Sequence, residues 1–386
     1  MTDKIQILFV NDEMRMGGVA RVLNTLMAAL PKDQYDIDLL ILHKEGMLLE
    51  EIPEEVHVIE GSSFFAPVDQ SLEILWQEKD IRGIMAKLRL LTYMKTGLIK
   101  KKIQKERRKI LNKRYDVEVA AKEGFCTIFT AYGDSKKKIN WVLTDYSVCN
   151  YSKNHMPLVK KALEHIDLNI ADSEQAEKAY EKVFEVSNGI TIHNLMDTER
   201  IMRDLKLDDG SEINGIDGPN IITVARFHPQ KSIDRLLIAS HETYLAGNHH
   251  TLYLIGGGEE EDKLRAMVKE MNMNNVVFLG YRQNPYGCMA KADLYVSSSL
   301  YEGFATVISE SLIVGTPVLA TEVSGAREQI TSPDYGWVVE NSQKGLTEGL
   351  KTALSSISDL ADRKLYLKGY TYPNEEHLKE FMEVLR

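Results

Sequence analysis

The stretch NIITVARFHPQKSIDRLLIASHETYLA, residues 220–246, contains one complete structural unit of this chain. Its first part, NIITVAR (220–226), is short and apolar and is rich in β-branched residues, as in a strand that is covered on both faces. A polar turn follows, and SIDRLLIASHETYLA has the apolar spacing of an amphipathic helix. Because a strand, a turn and a helix in this order form the βαβ unit, the stretch predicts a parallel sheet.

The same alternation recurs on both sides of that stretch. Strand-like runs lie at 5–10, 36–42, 56–60, 115–121, 139–143, 167–171 and 189–194 before it, and at 251–257, 276–280, 294–299, 317–323 and 337–340 after it. Residues 81–113 have a helical pattern. We therefore predict an α/β chain of two Rossmann-like domains, whose parallel sheets face each other across an interdomain cleft.

The length of 386 residues suits two domains. The stretch LKLDDGSEINGIDGPN (205–220) has the composition of a loop, and we place the boundary there. The predicted parts are an N-terminal domain over 1–205, a linker over 206–218, a C-terminal domain over 219–370 and a final helical segment over 371–386.

Composition excludes several classes of protein. The formal net charge of −10 disfavours nonspecific binding to nucleic acid. The three cysteines, Cys126, Cys149 and Cys288, are far apart, so neither a disulfide framework nor a zinc site is indicated, and we expect a cytoplasmic protein. The N-terminus is too acidic and its apolar run too short for a signal peptide, and no apolar run is long enough to span a membrane.

One segment carries the opposite charge. Residues 95–114, KTGLIKKKIQKERRKILNKR, contain ten Lys or Arg and one acid, Glu106. Two interpretations stay open. The segment is a solvated helix face, or it is a basic amphipathic helix that docks on an anionic membrane, with Ile99, Ile103 and Ile110 on one stripe.

Several strand ends carry residues suited to an anionic, hydroxyl-rich ligand. Gly17 and Gly18 follow the first strand, where glycines allow a ligand to approach the backbone closely. Arg226 and Lys231 follow the strand at 220, and two cations there can bind a diphosphate. Gly257 lies in a tight turn within the glycine run 256–258, and Tyr281 and Arg282 lie where a base could stack or accept a hydrogen bond.

The stretch YEGFATVISE (301–310) brackets an uncharged segment with Glu302 and Glu310. We place Glu302 in a turn and Glu310 about two turns into the helix that follows. A carboxylate accepts hydrogen bonds from paired hydroxyls, and the free amides at a helix N-terminus can bind an anion. The amides assigned to that role are those of Gly303, Phe304, Ala305 and Thr306. The pattern predicts a nucleotide sugar lying along this helix end, whereas two solvated acids would suit the apolar surroundings poorly.

In this order, these motifs resemble the retaining nucleotide-sugar glycosyltransferases of family 4, which have the GT-B fold. The resemblance is carried by GG (17–18), R-x4-K (226–231), GGG (256–258), FLG (278–280), NP (284–285), EGF-x6-E (302–310) and GTPV (315–318). It is specific over residues 219–340 and thinner in the first domain. There it rests on Gly17–Gly18, WVLTDY (141–146) and IHN (192–194).

The resemblance implies a role for each of these residues. Arg226 and Lys231 neutralise the diphosphate, Glu302 and the amides after it hold the donor sugar, and Glu310 accepts from the ribose hydroxyls. It also implies that the final helix, EEHLKEFMEVL (375–385), packs back toward the N-terminal domain. No metal and no cofactor are implied, and the DxD at Asp36–Asp38 lies inside a predicted strand.

One departure from the family concerns the acceptor side. Many members have a histidine in the stretch that matches WVLTDY, and Leu143 takes its place here, while Asp145 and Tyr146 remain as acceptor-side candidates. The expected function is retaining transfer of a hexose or N-acetylhexosamine, UDP-linked, to a glycan or lipid-linked acceptor. The alternative is a partner subunit that binds sugar or glycan and has lost turnover. It stays open because Leu143 removes a polar contact.

Overall fold

The computed structural model describes residues 4–15, 17–68, 70–148, 156–215 and 217–386. The chain forms two compact units. Unit 1 consists of Met1–Leu195 together with Asn374–Arg386, and unit 2 consists of Met196–Pro373. Each unit has its own parallel sheet, so the prediction of a two-domain α/β chain is confirmed.

Unit 1 contains a seven-stranded sheet in the order β3-β2-β1-β4-β5-β6-β7. All of its neighbouring strands are parallel. The strands are β1 (Ile5–Asn11), β2 (Tyr35–Ile41), β3 (His57–Glu60), β4 (Val117–Ala120), β5 (Lys137–Val142), β6 (Leu168–Ala171) and β7 (Gly189–Thr191). Asp36 and Asp38 lie inside β2, as predicted.

The described helices of the first 195 residues connect these strands. They are α1 (Gly18–Ala29), α2 (Leu72–Gln77), α3 (Ile81–Lys95), α4 (Ile99–Ile110), α5 (Phe125–Ala131), α6 (Met156–Leu163) and α7 (Glu174–Phe184). The single helical pattern predicted over 81–113 is two helices, because Gly97 adopts a φ of +72° that ends the first of them.

The central strands of unit 1 are buried on both faces. Leu8 and Val10 of β1 lie in one hydrophobic cluster, and Ile7 and Phe9 lie in the other. This alternation follows from the two-residue period of a strand, and it explains why β1 has a nearly continuous apolar sequence.

Unit 2 contains a six-stranded parallel sheet in the order β10-β9-β8-β11-β12-β13. Its strands are β8 (Asn220–Val224), β9 (Thr251–Ile255), β10 (Val276–Gly280), β11 (Leu294–Ser297), β12 (Val318–Thr321) and β13 (Gly336–Val339). Its described helices are α8 (Thr198–Leu205), α9 (Ile233–Leu245), α10 (Glu261–Glu270), α11 (Tyr286–Lys291), α12 (Thr306–Ile313), α13 (Ala326–Gln329), α14 (Gln343–Leu354) and α15 (Ile357–Leu367).

The second unit begins earlier than the boundary that we placed after residue 205. Met196 and Ile201, which frame the start of α8, are buried in a core cluster of unit 2. The residues assigned to the linker, 206–218, also fall within unit 2. Ile213 is buried there, and the backbone N–H of Asn214 donates to the Tyr253 hydroxyl at 3.2 Å. The polar composition of this stretch conceals one apolar anchor.

The last helix, α16 (Asn374–Val384), belongs to unit 1. Phe381 packs edge-on against Trp141 with 5.3 Å between the ring centroids, and the Tyr35 hydroxyl donates to the carbonyl of Met382. The chain therefore returns to the unit in which it started.

Two further observations concern membrane-spanning helices and the cysteines. None of the helices in the described ranges is both long enough and apolar enough to cross a bilayer. Cys126 and Cys288 are buried free thiols, whereas Cys149 lies outside the described residues.

Candidate active site

The loops that follow β8 and β9 pack directly against each other. Gly256 has a φ of +145°, and a Cβ there would lie 1.8 Å from the carbonyl oxygen of Ala225. Gly258 is similarly close to the backbone of Phe227, whose N–H donates to the Gly257 carbonyl at 2.8 Å. Glycine is therefore required at 256 and 258 by backbone packing, and this packing fixes the loop that carries Arg226 and Lys231.

Lys231 forms an ion pair with Glu302. Lys231 ends a short 3₁₀ turn, Pro229–Lys231, and its carbonyl accepts from the Ser298 hydroxyl at 2.8 Å. The N–H of Leu300 donates to the Gln230 carbonyl at 2.8 Å. These contacts tie the loop after β8 to the loop after β11, so the ammonium and the carboxylate meet at the carboxyl ends of adjacent strands.

Glu302 is 9% exposed, so the interpretation of a solvated acid is wrong for this residue. Besides Lys231, its carboxylate accepts from the Ser299 hydroxyl at 2.6 Å and from the Gln230 side-chain amide at 3.4 Å. A buried carboxylate is stable when it is paired and hydrogen-bonded in this way. The arrangement holds the Glu302 side chain in one orientation.

Glu310 is also buried and lies within α12. Helix α12 begins at Thr306, after Ala305 with a ψ of 90°, so Gly303 and Phe304 precede the helix in a buried loop. The pKa of the Tyr295 phenol is raised by burial and then by the charges of Glu302 and Glu310. Both carboxylates therefore lie near one buried tyrosine of β11.

Arg226 and Tyr281 are exposed side chains that follow β8 and β10. In the part of the chain that the structure describes, the Arg226 guanidinium has no hydrogen bond or ion pair. It is therefore available to an anionic ligand. The exposed phenol ring of Tyr281 is likewise accessible to a ligand.

Arg282 has a partner of its own. Its guanidinium binds the carboxylate of Glu212 through both terminal nitrogens, one of them at 2.7 Å, and this hydrogen bonding raises the pKa of Arg282. The structure does not place Arg282 in the hydrogen-bonded group of Lys231 and Glu302. Its contact with a donor stays a prediction, and that contact would compete with Glu212.

In unit 1, Gly17 is the residue before α1 and Gly18 is its first residue. A Cβ at either position would meet no atom within 4 Å. Packing inside the described chain therefore does not require glycine at these two positions, in contrast to Gly256 and Gly258.

The two acceptor-side candidates differ in their surroundings. Asp145 is buried, and its carboxylate accepts from the backbone N–H of Ser147 at 2.8 Å and from the Ser147 hydroxyl at 2.6 Å. The ring of Tyr146 lies in the hydrophobic core, with Tyr180 and Phe184 each 5.1 Å away between ring centroids. The structure therefore gives Tyr146 a packing role.

Sequence reasoning missed a charged group after β1 and β4. The ammonium of Lys122 binds the Asp12 carboxylate at 2.7 Å. Burial lowers the pKa of Lys122, but the charge and the hydrogen bond of Asp12, together with nearby Cys126 and Glu123, raise it above its usual value. The neighbouring Glu123 is 4% exposed, and its carboxylate accepts from the backbone N–H of Leu143 at 3.2 Å. The signal was visible in VEVAAKEG (117–124), where two charges directly follow an apolar strand.

In the described ranges, no group of three or more His, Cys, Asp or Glu side chains is arranged to hold a metal ion. The buried carboxylates of Asp12, Glu302 and Asp145 are each bound to an ammonium, a hydroxyl or a backbone N–H.

Comparison with known proteins gives the following relationships. Residues 209–365 match the family model of glycosyl transferases group 1. The chain is 39% identical over 106 residues to N-acetylgalactosamine-N,N'-diacetylbacillosaminyl-diphospho-undecaprenol 4-alpha-N-acetylgalactosaminyltransferase of Campylobacter jejuni. It is 28% identical over 192 residues to poly(ribitol-phosphate) alpha-N-acetylglucosaminyltransferase of Staphylococcus aureus.

These matches cover 27% and 48% of this chain, and 29% and 32% of the two relatives. The chain thus spans about a third of the length of these curated relatives. The crystal structure of Anabaena HepE in complex with UDP and glucose superimposes with a TM-score of 0.70 at 18% identity and covers 99% of each chain. The fold is therefore GT-B, and residues 209–365 are similar to the glycosyl transferases of group 1.

Proposed function

We propose that this protein is a retaining glycosyltransferase that moves a sugar from a nucleotide diphosphate sugar to a hydroxyl of an acceptor. The observation that carries the proposal is the pair of Lys231 and Glu302, fixed by hydrogen bonds at the carboxyl ends of β8 and β11. In open α/β sheets, ligands bind beyond these strand ends. The pair lies within the part of the chain that matches the family.

In this proposal each residue of the site has one role. Arg226 and Lys231 bind the diphosphate, and the buried Glu310 accepts hydrogen bonds from the ribose hydroxyls. Glu302 accepts from the hydroxyls of the donor sugar, and backbone amides of 303–306 bind the phosphate next to it. Gly17, Gly18 and Gly257 allow the donor to approach the backbone, and Tyr281 faces the base.

The reaction proceeds without a cofactor. The bond between the anomeric carbon and the diphosphate oxygen breaks while the acceptor oxygen bonds to the anomeric carbon from the same face. The acceptor proton passes to an oxygen of the leaving diphosphate, so charge and atoms balance. Negative charge develops on the diphosphate, and Arg226 and Lys231 stabilise it in the transition state.

The identity of the substrates is proposed from the relatives. The HepE structure contains UDP and glucose, and the two curated relatives are named as transferases of N-acetylhexosamines. We propose a UDP-linked hexose or N-acetylhexosamine as donor. The relatives' names include a diphospho-undecaprenol and a poly(ribitol phosphate), which supports a glycan, glycolipid or cell-surface polymer as acceptor. We propose that the transfer takes place in the cytoplasm.

Part of segment 95–114 supports docking on an anionic membrane. Ile99 and Ile103 are buried in the core of unit 1 and Ile110 is half-buried, so the proposed apolar stripe does not face solvent. The exposed cations of the segment are Lys95, Lys100, Lys101, Lys105, Arg108, Lys109 and Arg114. These charges can contact anionic lipid headgroups beside a lipid-linked acceptor.

We further propose that Glu123 makes the polar contact to the acceptor that Leu143, which stands in the place of the family's histidine, cannot make. Its carboxylate lies beside the backbone of Leu143 and can accept a hydrogen bond from an acceptor hydroxyl. Glu123→Gln should raise KM for the acceptor by about tenfold and leave the Kd for the nucleotide unchanged. If transfer kinetics with saturating donor are unaltered, Glu123 only supports the backbone of residue 143.

The test of the proposed function is a panel of nucleotide sugars in a thermal-shift and hydrolysis assay. A ligand that binds only the folded protein stabilises it by about 2.7 kcal/mol at a hundredfold excess over Kd. We expect one UDP-sugar to raise Tm and to be hydrolysed slowly without an acceptor. Binding without hydrolysis or transfer would instead indicate the non-catalytic partner subunit, and no binding by any nucleotide would refute the proposal.

A further inference from the structure

The outer faces of α2 and α3 expose large apolar side chains. On α3, Ile81, Met85 and Leu88 are spaced by four and three residues, so they lie on one face of the helix. Ile81 is 70% exposed, Met85 is 66% exposed, and Trp76 of α2 is 75% exposed. A soluble surface rarely shows so many large apolar groups together unless it binds something. We call the following side chains the apolar patch: Leu72, Trp76, Ile81, Met85 and Leu88.

The two helices that carry the apolar patch pack against each other, and α3 also packs against the core of unit 1. The opposite face of α3 buries Leu90 and Met94 in the core of unit 1. At Gly83, a Cβ would lie 2.7 Å from the Leu75 side chain of α2, so the two helices are in close contact there. The buried Lys87 ammonium donates to the carbonyls of Pro67 and Val68 at 2.9 and 3.0 Å. The exposed side chains are therefore presented by an anchored helix pair.

The charges around the apolar patch are mostly positive. The exposed cations of 71–110 are Lys79, Arg82, Arg89, Lys95, Lys100, Lys101, Lys105, Arg108 and Lys109, and the exposed carboxylates are Glu73, Glu78 and Asp80. Asp80 also accepts from the Gly83 N–H as the cap of α3. This surface has the opposite sign to the whole chain, whose net charge is −10. Exposed apolar groups beside cations match the interface of an anionic bilayer, where apolar side chains enter the acyl region and cations contact headgroups.

We infer that unit 1 binds anionic membranes by inserting the apolar patch of α2 and α3, while the exposed cations of α3 and α4 contact the lipid headgroups. This deepens the proposed membrane contact of 95–114, on which it rests, by naming the side chains that enter the lipid. Lys102 is not among the headgroup contacts, because its side chain is only 12% exposed and its ammonium lies over the Phe64 ring. Lys109 binds the same Glu106 carboxylate as Lys102 but is 55% exposed. Ile99 and Ile103 are excluded because they are buried.

The test uses the tryptophans of the protein as probes. The sequence contains three, and Trp76 is the exposed one, whereas Trp141 is buried and Trp337 is half-buried. Vesicles of 70% phosphatidylcholine and 30% phosphatidylglycerol should sediment the protein and shift its fluorescence to shorter wavelength. Lipids brominated on the acyl chain should quench that fluorescence. Pure phosphatidylcholine should bind more weakly, since each interfacial cation contributes about fivefold in affinity on an anionic surface.

Two sets of variants separate insertion from charge. The double variant Trp76→Ser with Met85→Ser should lower vesicle affinity by about a hundredfold, since each inserted large apolar side chain contributes on the order of tenfold. The matched control is Leu207→Ser with Leu245→Ser, which removes two equally exposed apolar groups from unit 2 and should change nothing. Replacing Lys100, Lys101 and Lys105 by Gln should weaken binding and reduce its dependence on salt.

The outcomes are distinct from those of the proposed function. UDP affinity should be the same in all these variants and in the wild type. If the wild type binds no UDP, the proposed donor site of unit 2 is wrong, but the vesicle measurements still test the membrane inference. Vesicle binding that survives Trp76→Ser with Met85→Ser, or a wild type that ignores anionic vesicles at low salt, would overturn the inference. A dimer that the same double variant dissociates, without vesicle binding, would assign the apolar patch to a second copy of the chain.

Discussion

Replacing Glu302 by glutamine should increase the affinity of the protein for a free nucleoside diphosphate while it reduces the use of the intact donor. The Glu302 carboxylate pairs with the Lys231 ammonium and offsets the charge that a diphosphate would meet. Glutamine keeps an oxygen that can accept from Lys231 and Ser299, but it removes the negative charge. The variant therefore separates the charge of Glu302 from its hydrogen bonding.

The size of the effect follows from the electrostatics of the pair. Two unit charges about 6 Å apart repel by about 0.7 kcal/mol at an effective dielectric constant of about 80 and by about 3 kcal/mol at about 20. Glu302 is 9% exposed and the Lys231 side chain is 20% exposed, so both groups still contact solvent. We expect the lower part of that range, about 1 kcal/mol, which corresponds to a Kd for UDP that is about fivefold lower.

The assay is calorimetric titration of UDP into wild-type protein and Glu302→Gln, with turnover of the intact donor measured in parallel. Glu348→Gln is the matched control, because it removes one carboxylate from an exposed pair with Lys351 in the same unit. Turnover of Glu302→Gln should fall by about a hundredfold or more, because a contact to the reacting sugar typically contributes a few kcal/mol in the transition state. A Glu302→Gln protein whose UDP affinity falls while its turnover stays near the wild-type value would refute the assigned division of roles.

Three other substitutions test separate parts of the structure. Lys231→Ala should weaken UDP binding by about tenfold or more. It should also lower turnover, because a few kcal/mol of transition-state stabilisation are lost. Near-native turnover in a donor-saturated assay would exclude Lys231 from the diphosphate site. Glu310→Gln should weaken binding of UDP and of uridine alike, since a ribose contact is independent of phosphate, and an effect confined to UDP would argue against it. His377 is buried and its pKa is lowered from 6.5 to about 4, by burial and then by the nearby His193. The unfolded chain therefore binds the proton more strongly than the folded one, and stability that is fully present above pH 6.5 falls as the pH approaches 4. Urea unfolding between pH 7.5 and 4.5 should show that His377→Gln loses less stability than the wild type, by on the order of 2 kcal/mol. Equal losses in the two proteins would show that His377 does not titrate with folding.

Much of the fold was predictable because strands that are buried on both faces leave a clear sequence signal. Segments such as IQILFV and TLYLI are nearly continuous apolar runs, and each is an interior strand of its sheet. The break between α3 and α4 was not predicted, since one glycine inside a helical pattern does not reveal its φ. The unit boundary was placed too late because Met196 and Ile201, which precede the polar stretch, are buried in the core of unit 2, and Ile213 anchors that stretch in the same core.

The candidate site was partly predictable for a related reason. Charged residues that directly follow apolar strands must gather at one edge of a parallel sheet, and this brought Lys231 and Glu302 together. Sequence spacing could not reveal that Glu212 would occupy the Arg282 guanidinium, because the two residues are distant in the chain and meet only in the folded unit. The ring of Tyr146 has a packing role that its polar hydroxyl concealed.

The most direct test of the central claim is a transfer assay that follows both the released nucleotide and the stereochemistry of the product. A panel of UDP-sugars is incubated with the protein and a lipid-linked or polymeric hydroxyl acceptor, and the anomeric configuration of the product is read by NMR. The account predicts that one donor releases UDP, that its sugar appears on the acceptor with the anomeric configuration of the donor, and that Lys231→Ala abolishes both signals. A product of inverted configuration, or release of UDP that Lys231→Ala leaves unchanged, would contradict it.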